Sequence, residues 1–520
     1  MTRAVIALSV VLAAIAYAQP GIGQNGVANA ASQIAPTLPG GAIARGALFD
    51  ISGVRLVSAE ATKVTITGSG RTLLLTLVSA QPRHVEALMP RDAPLGQASL
   101  VVTVGTSASR PFPVEIVASN PGIFSRNLEG WGPGRIDNLA SNGARSSNSI
   151  VNPARPGERI RIATTGLGDA REASIDIGGR QIRAIPARGE RDGEEQLTFA
   201  IPADAPKGCW VPLYLLAAPN RASNVVTVSI APAGAACDPG PVPVWAKKNV
   251  MVVALSRSRQ KPSDPSAPEI LSDDMRVIVK ANNSESALDR NDLLPPAGTC
   301  TAATSSYQAP SDLTLTLSSL AVPRGRGLDA GDRITLRRGA EKRDVIATDK
   351  DPGNYRARLG ISGVDTHHRI PPPFLVPGDF DLEVAGGKDI GPFSTRLSIP
   401  TPFQWPERDQ IHTVNRKLPL TIQWTGGERD QLMLIGVRNV DLITTAIATC
   451  VCVVPAQAHR LTIPAALLAN IPASIRAPGA HYDILAIGTL NAQPLQVNAK
   501  GFDSGFSFVM YDNSRYVEFR

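Results

Sequence analysis

Pro90-Arg91-Asp92-Ala93-Pro94-Leu95-Gly96 and Pro202-Ala203-Asp204-Ala205-Pro206-Lys207-Gly208 are two copies of one heptad, P-x-D-A-P-x-G, set 112 residues apart. That spacing is the length of one immunoglobulin-sized β-sandwich. Each copy follows an alternating apolar stretch, HVEALM at 84–89 and QLTFAI at 196–201. Each also precedes one, QASLVVTV at 97–104 and CWVPLYLL at 209–216. Proline ends the first strand because it cannot donate to a ladder, and glycine gives the next strand a permissive start. Two tandem copies of one β-domain follow from the repeat.

The rest of the chain extends that pattern. It has 520 residues with 43 prolines, 45 glycines and only 5% aromatic residues, and it lacks long amphipathic helical patterns. Many short strands joined by tight turns are the outcome, so the fold class is all-β, with tandem immunoglobulin-like β-sandwich domains. Four units are expected: a sandwich over 19–118, a second over 119–237, a β-rich domain over 238–399 and a sandwich-like domain over 400–520. A stiff linker, DPGPVPVW, opens the third at 238–245. The stretch 126–156, rich in Gly, Asn, Ser and Arg, is predicted as an extended surface loop. The polar tracts 257–272 and 282–311 are predicted as loops, and PAALLANI at 464–471 as one or two helical turns.

The N-terminus has the layout of a secretory signal. Arg3 precedes an apolar run, AVIALSVVLAAIA, and Ala16-Tyr17-Ala18 fits a small-x-small cleavage site, which makes 1–18 a signal peptide. The run of about 13 residues is short of the ~20 that span a bilayer. The expectation is an exported chain, secreted, extracellular, at the cell surface or periplasmic, with no transmembrane segment after cleavage. The net charge of +7 is dispersed over separate segments, RPGERIRI, RQIRAIPARGER and ITLRRGAEKR. Alternating basic residues on strands form a solvent face, and no nucleic-acid recognition motif accompanies them, so no nucleic-acid partner is expected.

Export puts the five cysteines in an oxidising compartment. Cys209 opens one strand and Cys237 follows the end of the next, so an antiparallel hairpin brings their thiols together. Closing that loop would stabilise the fold by about 3 kcal/mol on the chain-entropy model. Two free buried thiols are the alternative. Cys450 and Cys452 share one face of a strand and cannot easily bond to each other. Either is a partner for Cys300, which leaves one thiol over.

Sites for chemistry are sparse. The nucleophile elbow G-x-S-x-G is absent, and Gly360-Ile361-Ser362-Gly363 has the wrong spacing. There is no H-E-x-x-H, P-loop or dinucleotide fingerprint. His367-His368 beside Asp365 is the most metal-like cluster, yet neighbours on an extended strand point to opposite faces. Asp379 and Asp381 share a strand face, as a calcium site or a glycosidase pair would, and otherwise form an exposed strand start. Asp329 and Asp332 in LDAGDR read as a turn. Trp424 belongs to an apolar alternation and is a core residue; Trp405 is a core residue or a sugar platform. Gly130-Trp131-Gly132 places Trp131 as a candidate ligand contact or as packing on the sandwich. No catalytic residue, metal ligand or cofactor is assigned, and residues 238–400 are the place where an active site would have to lie.

The stretch 29–235 resembles the Solibacter-type uncharacterised extracellular domain family of acidobacterial secreted proteins. The matching pieces are NAAS at 29–32, the P-x-D-A-P-x-G corner, NPGIF at 120–124, TGLG at 165–168 and ASNVVTVSIAP at 222–232. The later regions resemble longer members through DIGPFSTRLSIPTPFQW, TVNRKLPLTIQWTGG and LTIPAALLANIP. The chain departs from the pattern at Arg83-His84-Val85, before the first corner. The resemblance implies tandem Ig-like or transcription-factor-immunoglobulin-like sandwiches and no reaction. The expected function is a non-catalytic scaffold or adhesion module that meets a surface protein or glycan. The alternative is a carbohydrate-binding protein or an accessory module of a polysaccharide-degrading system.

Overall fold

A computed structural model describes residues 19–36, 38, 40–58, 61–217, 221–235, 237, 249–262, 264, 266–281, 297–306, 325–347, 352–364, 370–429, 431–441, 446–469, 471–474 and 483–520. The signal at 1–18, the linker at 238–245, a strand candidate at 313–320 and the cluster Asp365, His367 and His368 lie outside the described residues. Where the chain is described it is almost entirely β, as the alternation requires.

The first sandwich pairs a sheet of Gly21–Asn29, Leu48–Val54, His84–Leu88 and Thr76–Gln81 with one built on Ile43–Ala44, Phe112–Val117, Gly96–Val104, Thr62–Gly68 and Arg71–Leu74. Period-two alternation turns Phe49, Ile51 and Val85 from one sheet onto Val64, Ile66, Leu100 and Ile116 from the other, all buried. In the second sandwich, Arg145–Ser147, Ile136–Leu139, Arg159–Thr165, Glu195–Ala200 and Pro186–Arg188 face the sheet of Arg180–Ala184, Ala173–Ile177, Gly208–Ala217 and Val226–Ile230. Its core is Ile160, Ile162, Leu197, Ile175, Leu213 and Val228.

Both heptads do the same job. Each carries the chain from one sheet of its sandwich to the other, between His84–Leu88 and Gly96–Val104 and between Glu195–Ala200 and Gly208–Ala217. The turn is closed by Ala93 N donating to Pro90 O at 3.2 Å and by Ala205 N donating to Pro202 O at 3.0 Å. Ala93 and Ala205 are buried beneath it, so the small residue between Asp and Pro is a packing requirement.

Residues 126–156 are not one extended loop. They hold the strands Ile136–Leu139 and Arg145–Ser147, a hairpin on the edge of the second sandwich. Asparagines there replace the missing apolar anchors: Asn148 Nδ2 donates to Ser229 O and to Asn138 Oδ1, and its Oδ1 accepts from Ser229 N.

The boundary expected at 399/400 is also corrected. One eight-stranded sheet runs Thr299–Ser306, Ala446–Pro455, Leu432–Asp441, Ile484–Pro494, Ser504–Tyr516, Asn249–Lys261, Ile270–Ala281, Asn354–Ser362, and so joins both regions. Asn249–Lys261 lies parallel to Ser504–Tyr516, Val250 opposite Ser504. A four-stranded sheet of Glu341–Ile346, Arg333–Arg338, Gly378–Val384 and Phe393–Ile399 shares its core through Met251, Val277, Leu336, Phe380 and Tyr511. The tracts expected as loops at 257–272 and 282–311 contain the ends of two of these strands and all of Thr299–Ser306. Their charges are paired, Arg257 with Asp273 opposite it in the ladder and Arg259 with Glu269 just before the strand. A helical turn sits at Ala465–Leu468. Among the described residues no helix is long and apolar enough to cross a membrane.

Candidate functional site

The scattered sequence pieces NAAS, NPGIF, TGLG and ASNVV converge at the joint between the first two sandwiches. Asn29 Oδ1 accepts from Ala31 N and Ser32 N at 2.9 and 3.1 Å, while its Nδ2 donates to Asn120 O at 3.2 Å. Asn120, buried, donates from Nδ2 to Gly40 O and Ala42 O at 2.6 and 2.5 Å, and from its backbone N to Gly166 O. Leu48 N of the first sandwich donates to Thr165 Oγ1 of the second at 2.9 Å. Asn224 completes the set, accepting from Ile123 N and donating to Ile123 O and Gly130 O. Gly168 is required by close approach: its φ is +64°, and a Cβ there would lie 1.9 Å from Ala118 O.

Charges reinforce the joint. Glu86 of the first sandwich meets Arg191 of the second at 3.3 Å, Arg191 meets Glu194 at 3.2 Å, and Arg135 meets Glu194 at 3.2 Å. Arg135 and Arg191 both lie over the Phe124 ring, at 4.9 and 5.5 Å from its centroid. At Arg83-His84-Val85, where the chain departs from the family pattern, His84 Nε2 lies 3.1 Å from Asp50 Oδ1. That contact raises the His84 pKa.

Beside the joint is a cleft of about 530 Å³. Gly46, Leu88, Met89, Pro90 and Arg91 form its wall on the first sandwich; Gly168, Ala170, Pro186–Arg188 and Asp192–Glu195 form the other. The first heptad thus supplies part of the wall, and Arg91 reaches across to Asp169 at 3.7 Å. A smaller recess of about 200 Å³ on the far side of the Arg188–Glu194 turn holds Arg126, Arg135 and Arg161 with Asp137, Glu190 and Glu194. There Arg161 pairs with Asp137 and, at 3.0 Å, with Glu190, so the recess is closed on itself electrically.

Glu195 is the unusual group of the cleft. It is 8% exposed, and its Oε2 accepts from Leu167 N at 2.9 Å. Burial pushes its carboxyl up to about 7, against the pull of the Leu167 N–H and the charge of Arg91. One signal for it was present in the sequence: Glu195 has the parity of Leu197 and Phe199, the buried face of its strand.

The sign of the linkage follows. Between the unfolded and folded values the native state holds a proton that the unfolded chain has released, so stability falls as pH rises toward about 7 and stays lower above it. Glu195→Gln is expected to flatten this dependence and to raise stability at pH 8 by about 2 kcal/mol. Urea denaturation of both proteins at pH 5 and pH 8 measures it; equal slopes would sink the assignment.

The other candidates fall as follows. Cys209 and Cys237 form a disulfide, Cα–Cα 5.2 Å, and Cys300 bonds Cys452 across a ladder pair, leaving Cys450 as a buried thiol. Burial pushes Cys450 up to about 12 and makes it a poor nucleophile. Cys209→Ser is expected to cost about 3 kcal/mol in the second sandwich alone, because the closed loop lies wholly within it; hydrogen exchange resolved by segment reads this, and equal loosening of the first sandwich would contradict it.

Trp405 and Trp424 are both buried in the C-terminal core, so Trp405 is not a sugar platform. Trp131 is half-buried, and Gly130 beside it packs against Ser32 of the first sandwich. Asp379 and Asp381 both face Arg396, at 4.0 and 3.7 Å. Asp329 Oδ1 accepts from Gly331 N, as a turn residue does. Among the described residues no group of three His, Cys, Asp or Glu side chains could hold a metal ion.

No protein-family model matches the chain, and no curated protein matches it. Among solved structures, SGBP-B of the mixed-linkage glucan utilization locus of Bacteroides ovatus, in complex with a mixed-linkage heptasaccharide, is similar over 39% of this chain and 47% of its own, at 14% identity and TM-score 0.21. The chain spans about half the length of that protein. SGBP-B of a xyloglucan utilization locus of Bacteroides uniformis is similar over 72% of this chain and 96% of its own, at 13% identity and TM-score 0.17. A Ca2+-stabilized ice-binding adhesin of an Antarctic bacterium covers 96% of this chain and 99% of its own, at 10% identity and TM-score 0.13. Likeness of this degree carries no functional argument.

Proposed function

We propose that this chain is an exported, non-catalytic binding protein in which the first two sandwiches act as one rigid presenting unit, and that 29–235 belongs to the Solibacter-type family it resembles. The joint carries the proposal. Its polar side chains are spent on backbone groups and on each other, an arrangement that holds two domains at a fixed angle and positions no nucleophile beside a base. A rigid pair of sandwiches displaying loops and a cleft is the build of a recognition scaffold. Export is supported by the leader-like composition of 1–18 and by two disulfides, which persist in oxidising compartments.

One observation favours the carbohydrate-binding alternative: the half-buried Trp131 keeps part of its ring open between two glycines of positive φ. The test is to apply labelled full-length protein to intact cells, to cell-surface extracts and to a glycan array, with Trp131→Ala alongside. Saturable attachment is expected. Attachment to glycans that is lost in Trp131→Ala at unchanged stability would select the carbohydrate reading, and turnover in an ester and glycoside screen would overturn the non-catalytic one.

A further inference from the structure

Every charged side chain that lines the cleft has an opposite charge within 4 Å, with one exception, on which Arg91 acts only from farther away. Arg91 faces Asp169 at 3.7 Å, Arg188 faces Asp192 at 2.5 Å, and Glu194 is held by Arg135 and Arg191. Glu195 has no ion-pair partner among the described residues, and its Oε1 accepts no hydrogen bond there, although the residue is only 8% exposed. A largely buried carboxylate whose second oxygen meets no protein donor and opens to the cleft favours a cation that fills the space.

We propose that the cleft binds a protonated primary amine, presented by a lysine side chain of a partner peptide, with Glu195 Oε1 accepting from the ammonium. The walls decide between sources of the amine. Leu88, Met89, Pro90, Ala170 and Pro186 supply apolar surface for a four-carbon stem, and among the described residues no aromatic ring lines the cleft for a sugar to stack on. The volume falls within the range of about 300–1,000 Å³ usual for small-ligand sites. The assignment deepens the binding role proposed above and rests on it.

The probe is acetyl-Gly-Lys-Gly-amide, titrated calorimetrically into the full chain at pH 8. Saturable binding is expected. It should be about tenfold weaker or worse for the norleucine analogue, for the Glu195→Gln variant, and for the wild type at pH 5.5, where the carboxyl is protonated. Ala187→Trp, which adds bulk at an exposed position of the cleft wall, should also abolish binding, and it decides the matter if Glu195→Gln fails to fold. The proposal is overturned if the lysine peptide does not saturate by about 20 mM. Equal binding of the norleucine analogue, or unchanged binding by a folded Glu195→Gln, overturns it as well. A glucosamine tetramer that binds where the lysine peptide does not would give the cleft to an amino sugar. Attachment to cells or glycans that survives in Glu195→Gln keeps the presenting-scaffold reading while removing this one.

Discussion

Asp273→Ala is expected to destabilise the C-terminal half of the chain by about 3–5 kcal/mol, the cost of breaking a buried ion pair from one side. Asp273 is fully buried, and its carboxylate accepts from Arg257 Nε and Nη2 at 2.7 Å each. It also accepts from Phe374 N and, at 2.6 Å, from Leu375 N. The two sides of this contact are far apart in the chain: Arg257 and Asp273 are paired strands of the eight-stranded sheet, whereas Phe374 and Leu375 lead into the four-stranded one. Alanine would leave a guanidinium 15% exposed without its partner and two buried N–H groups unmet. Asp273→Asn, which keeps an acceptor and the shape, should lose less. Trp405 and Trp424 report on this core, so urea denaturation followed by tryptophan fluorescence reads the change. An unchanged midpoint would mean that the network carries no net stability.

Asn120→Ala is expected to cost about 4 kcal/mol, since it strands the carbonyls of Gly40 and Ala42 at roughly 1–3 kcal/mol each and removes the donors that met them. Its effect should differ in kind from that of the disulfide. Asn120 ties the 40–42 turn of the first sandwich to Gly166 of the second, so both sandwiches should lose protection together. Hydrogen exchange of the full chain, compared at Ile43–Ala44 and at Arg159–Thr165, makes the distinction. Loosening confined to one sandwich would show that the joint is a contact of convenience and would take away the main support for a rigid presenting unit.

Much of the fold was legible because it is written locally. A strand repeats every two residues, and Pro, Gly and Asp act on backbone within a residue or two, so His84–Leu88, Gly96–Val104 and the two heptad corners could be read directly. Cys209 opens one strand and Cys237 follows the end of the strand paired with it, so hairpin geometry brings the two ends to the same side. The misreadings share one cause. In 126–156 the strands are anchored by Asn138, Asn148 and Ser229 in place of apolar residues, and in 257–272 by arginine–carboxylate pairs, so hydropathy gave no sign of them.

By itself, then, the sequence determined an all-β chain, two sandwiches of one kind in succession, and the sheet-to-sheet corner that each heptad forms. Tertiary structure decided the rest. Val250 and Ser504 lie in parallel register although 254 residues separate them, and no local pattern encodes a pairing so distant. Asn29, Asn120, Thr165 and Asn224 are ordinary polar residues of turns and strand ends until two sandwiches pack and bring them to one joint. Glu195 has buried parity in sequence, but the cleft that it lines exists only because the first heptad's Pro90 and Arg91 form the opposite wall. Each of these depends on which domains lie side by side, and that is set by the summed packing of both surfaces, a quantity that no single stretch of chain contains.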